Sequence, residues 1–394
     1  MKNYDVAVLG AGPGGSQAAT LLARAGFKTI QIERLEFPRF RIGESLLPAS
    51  MPLLKESGFY PKLASGKYIE KFGARFIDYK TDEEVYFGFS GGLNSEIPSA
   101  FEVPRAEFDA DMLGHAVSVG VELWQPCTVD DVTIESDAIV LQTANGAIRA
   151  KFLIDASGRQ SVVGKKLNYK KLGGDFNNLG VFAHFKGVER APDKNEGDIR
   201  IGILRDKSWS WQIPFKGNVT SVGVVSRSKE IPKDDNLEQY LLDAVSGTPK
   251  MKDYMKSAER ISDIQYVSNY AQECEKFWGA RWLLVGDAAK FLDPCFSSGV
   301  HNSIQSATFA AKTIINALNT SQDLEVSKLG ENYEKDFRKG IDRFHSLIEL
   351  FYSDDFVPQM KKTLQRKELE KAFTSAVAGD MWDDNNVLFQ RSIL

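Results

Sequence analysis

Val8-Leu9-Gly10-Ala11-Gly12-Pro13-Gly14-Gly15-Ser16 decides the fold of this chain. Before it, Tyr4 to Leu9 is a short apolar run with β-branched residues. After it, Ser16 to Ala25 has helical spacing with Gly26 as its stop, and Lys28 to Glu33 forms a second strand. Gly10, Gly12 and Gly15 stand in the GxGxxG arrangement, with Pro13 and Gly14 between them. Such a turn lets a pyrophosphate approach the start of the helix, whose unpaired N–H groups and dipole favour an anion. Glu33 ends the second strand about 20 residues further on, where an acid accepts hydrogen bonds from ribose hydroxyls; Arg34 follows it. Strand, glycines, helix, strand and terminal acid together predict an α/β chain with a Rossmann-like dinucleotide-binding unit. They do not choose between FAD and NAD.

Composition narrows the class. At 394 residues the chain exceeds one comfortable core, and 43% hydrophobic with 26% charged residues is ordinary for a globular protein. A net charge of −4 with both signs interspersed gives no footprint for nucleic acid or an anionic membrane. No run approaches the roughly 18 apolar residues of a membrane helix, and the start leads directly into a strand, so a cytoplasmic protein without a transmembrane segment is expected. Cys127, Cys274 and Cys295 are scattered and the 4 histidines do not cluster, so neither a disulfide framework nor a metal site is expected.

Three later stretches bear on the cofactor. Phe101-Glu102-Val103-Pro104-Arg105-Ala106-Glu107-Phe108-Asp109 precedes a helix from which Arg105 could reach it. Phe152 to Arg159 is an apolar strand ending in Asp155-x-x-Gly158. Trp282 to Ala289 is another, ending in Gly286-Asp287, where a carboxylate can hold a ribityl chain. This order resembles the FAD-dependent monooxygenase superfamily of the p-hydroxybenzoate hydroxylase type. The resemblance implies a FAD-binding domain over 1–175 and 271–325, with 60–100 contributing to the substrate side and Val129 among the cofactor contacts. An inserted mixed β-sheet substrate domain spans 176–270, and a shortened helical region spans 326–394.

Four further segments sharpen the resemblance. Pro38-Arg39-Phe40-Arg41-Ile42-Gly43-Glu44-Ser45-Leu46-Leu47-Pro48 is similar to the PRxxxGESLLP stretch of flavin-dependent halogenases; geranylgeranyl reductases usually carry Cys-Gly where this chain has Ile42-Gly43. Tyr68 to Phe76 alternates as one strand with two unlike faces, on which Lys71 lies opposite the aromatics; it matches the halogenase lysine, although a strand lysine is more often a solvated surface residue. Trp209-Ser210-Trp211-Gln212-Ile213-Pro214 matches the halogenase WxWxIP motif, with both indoles on one face of a strand. Asp293-Pro294-Cys295-Phe296-Ser297-Ser298-Gly299-Val300-His301 looks like the halogenase DPxFSSGVH segment and opens an apolar-periodic helix running to about Leu318. Cys295 and His301 read as packing residues.

The resemblance implies the chemistry. Reduced FAD from a separate NAD(P)H flavin reductase would react with O₂, and the activated oxygen would oxidise chloride or bromide held near Ser298 and Gly299. Hypohalous acid would travel to Lys71, which directs it onto an electron-rich aromatic, either a small molecule or a carrier-protein-bound substrate. Arg41, Ser45, Gly299 and Val300 would lie by the isoalloxazine, and Trp209, Trp211, Ile213 and Pro214 would bar the substrate from it. Asn332 to Tyr352 is an amphipathic helix with Tyr333, Phe337, Ile341, Phe344 and Ile348 on one stripe. Because the sequence runs only to Leu394, a short or absent cover and an open substrate side are expected. A flavin reductase of alkenes, an aromatic hydroxylase on the same fold, and a non-catalytic flavin-binding partner remain as alternatives.

Overall fold

The computed structural model describes residues 1–390 apart from 95, 97, 228–230, 232–235 and 355, and only the backbone of 172–177 and 268–270. Strand Lys2–Leu9 is the axis of the first sheet: Val6, Ala7 and Val8 are wholly buried. A near-continuous apolar run is what a parallel strand covered on both faces requires. Gly146–Asp155 and Thr29–Ile32 flank it in parallel, Trp282–Leu284 and Glu122–Trp124 extend the sheet in parallel on either side, and Val129–Ile134 with Ile139–Thr143 adds an antiparallel hairpin. Helix Pro13–Arg24 starts directly at the glycine turn and packs beside Ser298–Thr320. The two approach so closely that a Cβ on Gly14 would fall 2.5 Å from the Ser303 hydroxyl.

The second sheet is larger than the expected insert. Among the described residues its order is Lys290–Phe291, Gln265–Cys274, Lys170–Lys186, Val219–Arg227, Trp209–Pro214, Ile199–Ile203, Gly73–Asp78 and Glu84–Gly88. It is antiparallel except where Ile199–Ile203 runs parallel to Gly73–Asp78. Strands from 73–88, within the stretch expected to contribute to the substrate side, and strands from before 176 and beyond 271 therefore join the sheet expected over 176–270.

The single strand expected over Tyr68 to Phe76 is two. Ile69–Lys71 pairs antiparallel with Ala100–Glu102 as a separate ribbon, whereas Gly73–Asp78 belongs to the large sheet. At the break, the Phe72 N–H donates to Asp198 Oδ1 at 3.0 Å. Local alternation could not show this, because each half keeps a strand's period.

The apolar stripe of the helix Leu329–Phe351 is buried throughout, as its spacing predicts. Beyond it, Phe356–Leu364 and Lys367–Val377 fold back onto the Glu84–Gly88 edge of the second sheet and the turn that follows it. Phe373 meets Phe87 at 5.1 Å between ring centroids, the Leu93 N–H donates to Ser375 Oγ at 2.6 Å, and the Ala49 N–H donates to the Ala378 carbonyl at 3.1 Å. A short run of helix is therefore anchored on this edge of the second sheet by interlocking aromatics. Among the described residues no helix is long and apolar enough to cross a membrane.

Gly340 lies where Trp382 presses on this helix, and a Cβ there would sit 2.1 Å from the indole. Gly340→Ala is expected to destabilise by about 1–3 kcal/mol through overpacking. A lower urea midpoint at unchanged slope would show it.

Candidate functional site

A cavity of about 820 Å³ runs between the two sheets, from the glycine turn to the indoles of the second sheet. Gly10, Gly12, Pro13 and Gly14 line one end, with Glu33, Arg34 and Val129 beside them. Gly10 has φ +94°, and a Cβ on Gly15 would lie 2.0 Å from the Gly10 carbonyl, so Gly15 supports the turn from behind. Glu33 accepts from the N–H groups of Ala11 and Leu35, each at 2.8 Å. Its carboxylate thus clamps the turn, and each oxygen keeps a further lone pair toward the cavity. Asp287 also lines the cavity; burial pushes its carboxyl up to about 6, against the pull of Arg159 and Arg105.

The segment 37–48 passes along the cavity and is braced from outside. Arg105 grips Asp109 in a two-pronged ion pair (Nε–Oδ1 2.8 Å, Nη2–Oδ2 3.0 Å) and donates from Nη1 to the Ile42 carbonyl at 2.7 Å. Arg39 reaches the same Asp109 at 2.8 Å. Arg105 touches the cavity, yet most of its donors hold the loop. Arg41 is exposed at the cavity edge, and Glu44, almost wholly buried, meets His184 at 3.1 Å.

Ser45 joins this segment to the ribbon. Its hydroxyl accepts from Lys71 Nζ at 2.7 Å and donates to Glu102 Oε1 at 3.0 Å, while Ser45 itself lines the cavity. Lys71 is only 1% exposed and Glu102 is fully buried; Nζ and Oε1 are 3.9 Å apart, and the ammonium stands 5.4 Å from the centre of the Phe89 ring. Strand alternation by itself favours a solvated lysine and the motif a functional one; paired with Ala100–Glu102, Lys71 is taken out of water. Burial pushes the Lys71 ammonium down and the Glu102 carboxyl up to about 8, and each is drawn back by the other's charge.

Trp209 and Trp211 form the far wall, 5.7 Å between ring centroids. Trp211 pairs across the strands with Gly223, where a Cβ would lie 2.2 Å from the indole; glycine makes the room. The Trp209 N–H donates to the Tyr352 hydroxyl at 3.0 Å, and Asn178 donates to that oxygen at 3.2 Å and to Asp293 at 3.1 Å. Asp293 in turn accepts from the Cys295 N–H at 3.1 Å, so one buried carboxylate ties the Trp wall to the serine turn. Ile213 continues the wall, whereas Pro214 lies beyond the cavity lining. At the turn, Ser297 adopts φ 56° before the helix Ser298–Thr320, and Ser297, Gly299 and Val300 line the cavity. Ser298 Oγ is buried without a hydrogen-bond partner. His301 is packed between Ser50, Phe344 and Trp382, and burial pushes its imidazole down to about 4, so it is neutral at ordinary pH.

Asp155 takes a different place from the expected one. It is fully buried behind the cavity and accepts from the N–H groups of Ser157 (3.0 Å) and Val163 (2.7 Å), which makes it a brace for the turn that follows. Gly286 likewise supports from behind, donating its N–H to Ser306 Oγ at 2.9 Å. Glu102, Tyr352 and Asn178 were not anticipated. The available signal for Glu102 was a lone acid inside the apolar run Ala100-Phe101-Glu102-Val103.

Comparison with known proteins agrees with this geometry. The FAD binding domain model matches residues 3–336. The chain is 32% identical over 378 residues to the 1H-pyrrole-2-carbonyl-(peptidyl-carrier protein) chlorinase of Pseudomonas fluorescens, covering 89% of this chain and 84% of that one. It is 32% identical over 344 residues to the flavin-dependent halogenase armH4 of Armillaria mellea, covering 79% of this chain and 64% of that one. The solved flavin-dependent brominase Bmp2 superposes with a TM-score of 0.88 at 26% identity, covering 100% of this chain and 98% of that one. With a glycine cradle, a buried lysine and a paired-indole wall around one cavity, the chain belongs to the FAD-binding domain family and, within it, to the flavin-dependent halogenases.

Proposed function

We propose that this enzyme halogenates an electron-rich aromatic ring, with Lys71 presenting the hypohalous acid to the reacting carbon. The observation that carries the reading is a lysine 1% exposed, hydrogen-bonded at 2.7 Å to a serine that lines the cavity. A water-excluded ammonium is a strong, fixed donor, which is what directing a small reactive acid requires.

The residues present suit FAD. Gly12, Gly14 and Gly15 leave backbone N–H groups free of side chains at the start of a helix, the anion site for a pyrophosphate, while Gly10 and Pro13 shape the turn. Glu33 and Arg34 take the adenosine end and Asp287 the ribityl hydroxyls; Arg41, Ser45, Gly299 and Val300 border the ring. When bound and reduced, FAD supplies the electrons with which O₂ oxidises halide. The chain's own work is to hold the parts apart. Ser298 and Gly299 offer a helix N-terminus to chloride or bromide, and the unpartnered Ser298 hydroxyl adds a donor. Trp209, Trp211 and Ile213 keep the organic substrate off the flavin.

Reduced FAD comes from a separate NAD(P)H flavin reductase. For the substrate we favour a pyrrole-like or phenolic ring carried on a carrier protein; the matching chlorinase, whose name specifies a pyrrolyl carrier-protein substrate, supports this. Incubation with FAD, a reductase, NADH and bromide should place a bromine isotope pair on a carrier-bound pyrrole in preference to free tryptophan. A gain of oxygen mass, or none, would reject the reading.

Lys71→Met and Lys71→Ala should lower halogenated product by about 10²–10⁴-fold, with FAD binding and hydrogen peroxide release retained. Halogenation by either variant would remove Lys71 from the mechanism. Asp287 has a second consequence. A carboxyl pushed up to about 6 binds its proton more tightly folded than unfolded, so its ionisation costs stability above that pH and the cost disappears as pH falls toward the ordinary carboxylate range. Asp287→Asn should therefore melt above wild type at pH 7.5 without FAD, the difference closing on acidification through about 6, and should bind FAD more weakly.

A further inference from the structure

We propose that Glu102 is the positioning residue for Lys71: through Ser45 it fixes the lysine nitrogen and keeps it as a proton-donating ammonium, so that Lys71 works as an acid toward hypohalous acid and then as the base. This inference rests on the reading of Lys71 given above. The hydrogen bonds run in one direction, from Lys71 Nζ to Ser45 Oγ and from Ser45 Oγ to Glu102 Oε1. Ser45 has a single proton to donate, and Glu102 receives it, so its lone pairs are free for the lysine.

Three backbone segments set this geometry. Ile69–Lys71 pairs with Ala100–Glu102, and Ser45 makes a bridge to Glu102 from the other side. Main-chain pairing thus fixes the backbones of all three residues relative to one another. Glu102 Oε2 is buried with no hydrogen-bond partner, so this carboxylate is not consumed by the fold as Asp155 is. The charged groups facing the pair are Glu44, which is engaged with His184, and Asp198, which is shared with Arg75. Glu102 is the acid in closest contact with the ammonium, and its loss leaves Asp198 as the acid that acts on it.

The chemistry balances around one proton. Lys71 donates it to the oxygen of hypohalous acid as the oxygen–halogen bond breaks; the ring carbon takes the halogen, and water leaves. The neutral amine then accepts the proton from the same ring carbon, restoring aromaticity and the ammonium. The net change is aromatic C–H plus hypohalous acid to aromatic C–halogen plus water. No further base is required.

The test follows halogenated product and hydrogen peroxide across pH for wild type, Glu102→Gln, Glu102→Asp and Lys71→Met. Because an opposite charge at this range raises an amine's proton affinity, Glu102→Gln should move the alkaline limb of halogenation about 1 unit or more lower, with peroxide release rising as product falls. Glu102→Asp should restore part of the limb. A uniform loss at every pH, or a wild-type limb, would overturn the proposal while a dead Lys71→Met left the Lys71 reading standing. Halogenation by Lys71→Met would overturn both. As a measure independent of turnover, the Lys71→Met/Glu102→Gln double variant should melt above Lys71→Met, because it no longer buries a lone acid; an equal or lower midpoint would also overturn the pairing.

Discussion

An ammonium taken out of water must be met by acceptors the protein has already placed, and the structure around Lys71 follows from that demand. Desolvation costs several kcal/mol per buried ion unless geometry returns it. Here the return comes from Ser45 at 2.7 Å, Glu102 at 3.9 Å and the Phe89 ring. Those groups come from three separated stretches of chain, so the buried charge also joins the 37–48 segment to the ribbon of Ile69–Lys71 and Ala100–Glu102. A buried ion pair is weak evidence for stability but can be retained for specificity. In this enzyme it lies one serine away from the cavity.

The rest of the site consists of close approaches that place other groups around that cavity. Gly14 admits the helix Ser298–Thr320 against Pro13–Arg24, which brings the serine turn near the glycine turn. Gly223 admits Trp211, which closes the opposite wall. Asp293 links the two through Asn178, Tyr352 and Trp209; burial pushes its carboxyl up, and the hydrogen bonds it accepts pull it back. Glycine turn, serine turn and indole wall are thus one connected polar and steric arrangement.

From the C-terminal helices, Phe356 and Phe373 enter the aromatic cluster of Phe76, Phe87 and Phe296, so these helices are fixed to the edge of the second sheet by interlocked rings.

Much of this was legible in the residues themselves. Gly10 to Gly15 with Glu33, the Trp-x-Trp pair and the Ser-Ser-Gly turn carry their chemistry in local spacing: a turn needs glycine, a strand presents alternate residues to one face, and a helix start offers N–H groups. Asp155 was misassigned, because an acid ending an apolar strand looks the same whether it faces a ligand or its own backbone. Lys71 was recognised by its motif, and Glu102 was passed over. Charge–charge contact between residues 31 positions apart has no local period. Sequence alone determined the cofactor fold and the halogenase chemistry; only tertiary structure decided that the lysine is buried and which acid it meets, because burial and pairing arise where strands distant in the chain are brought together.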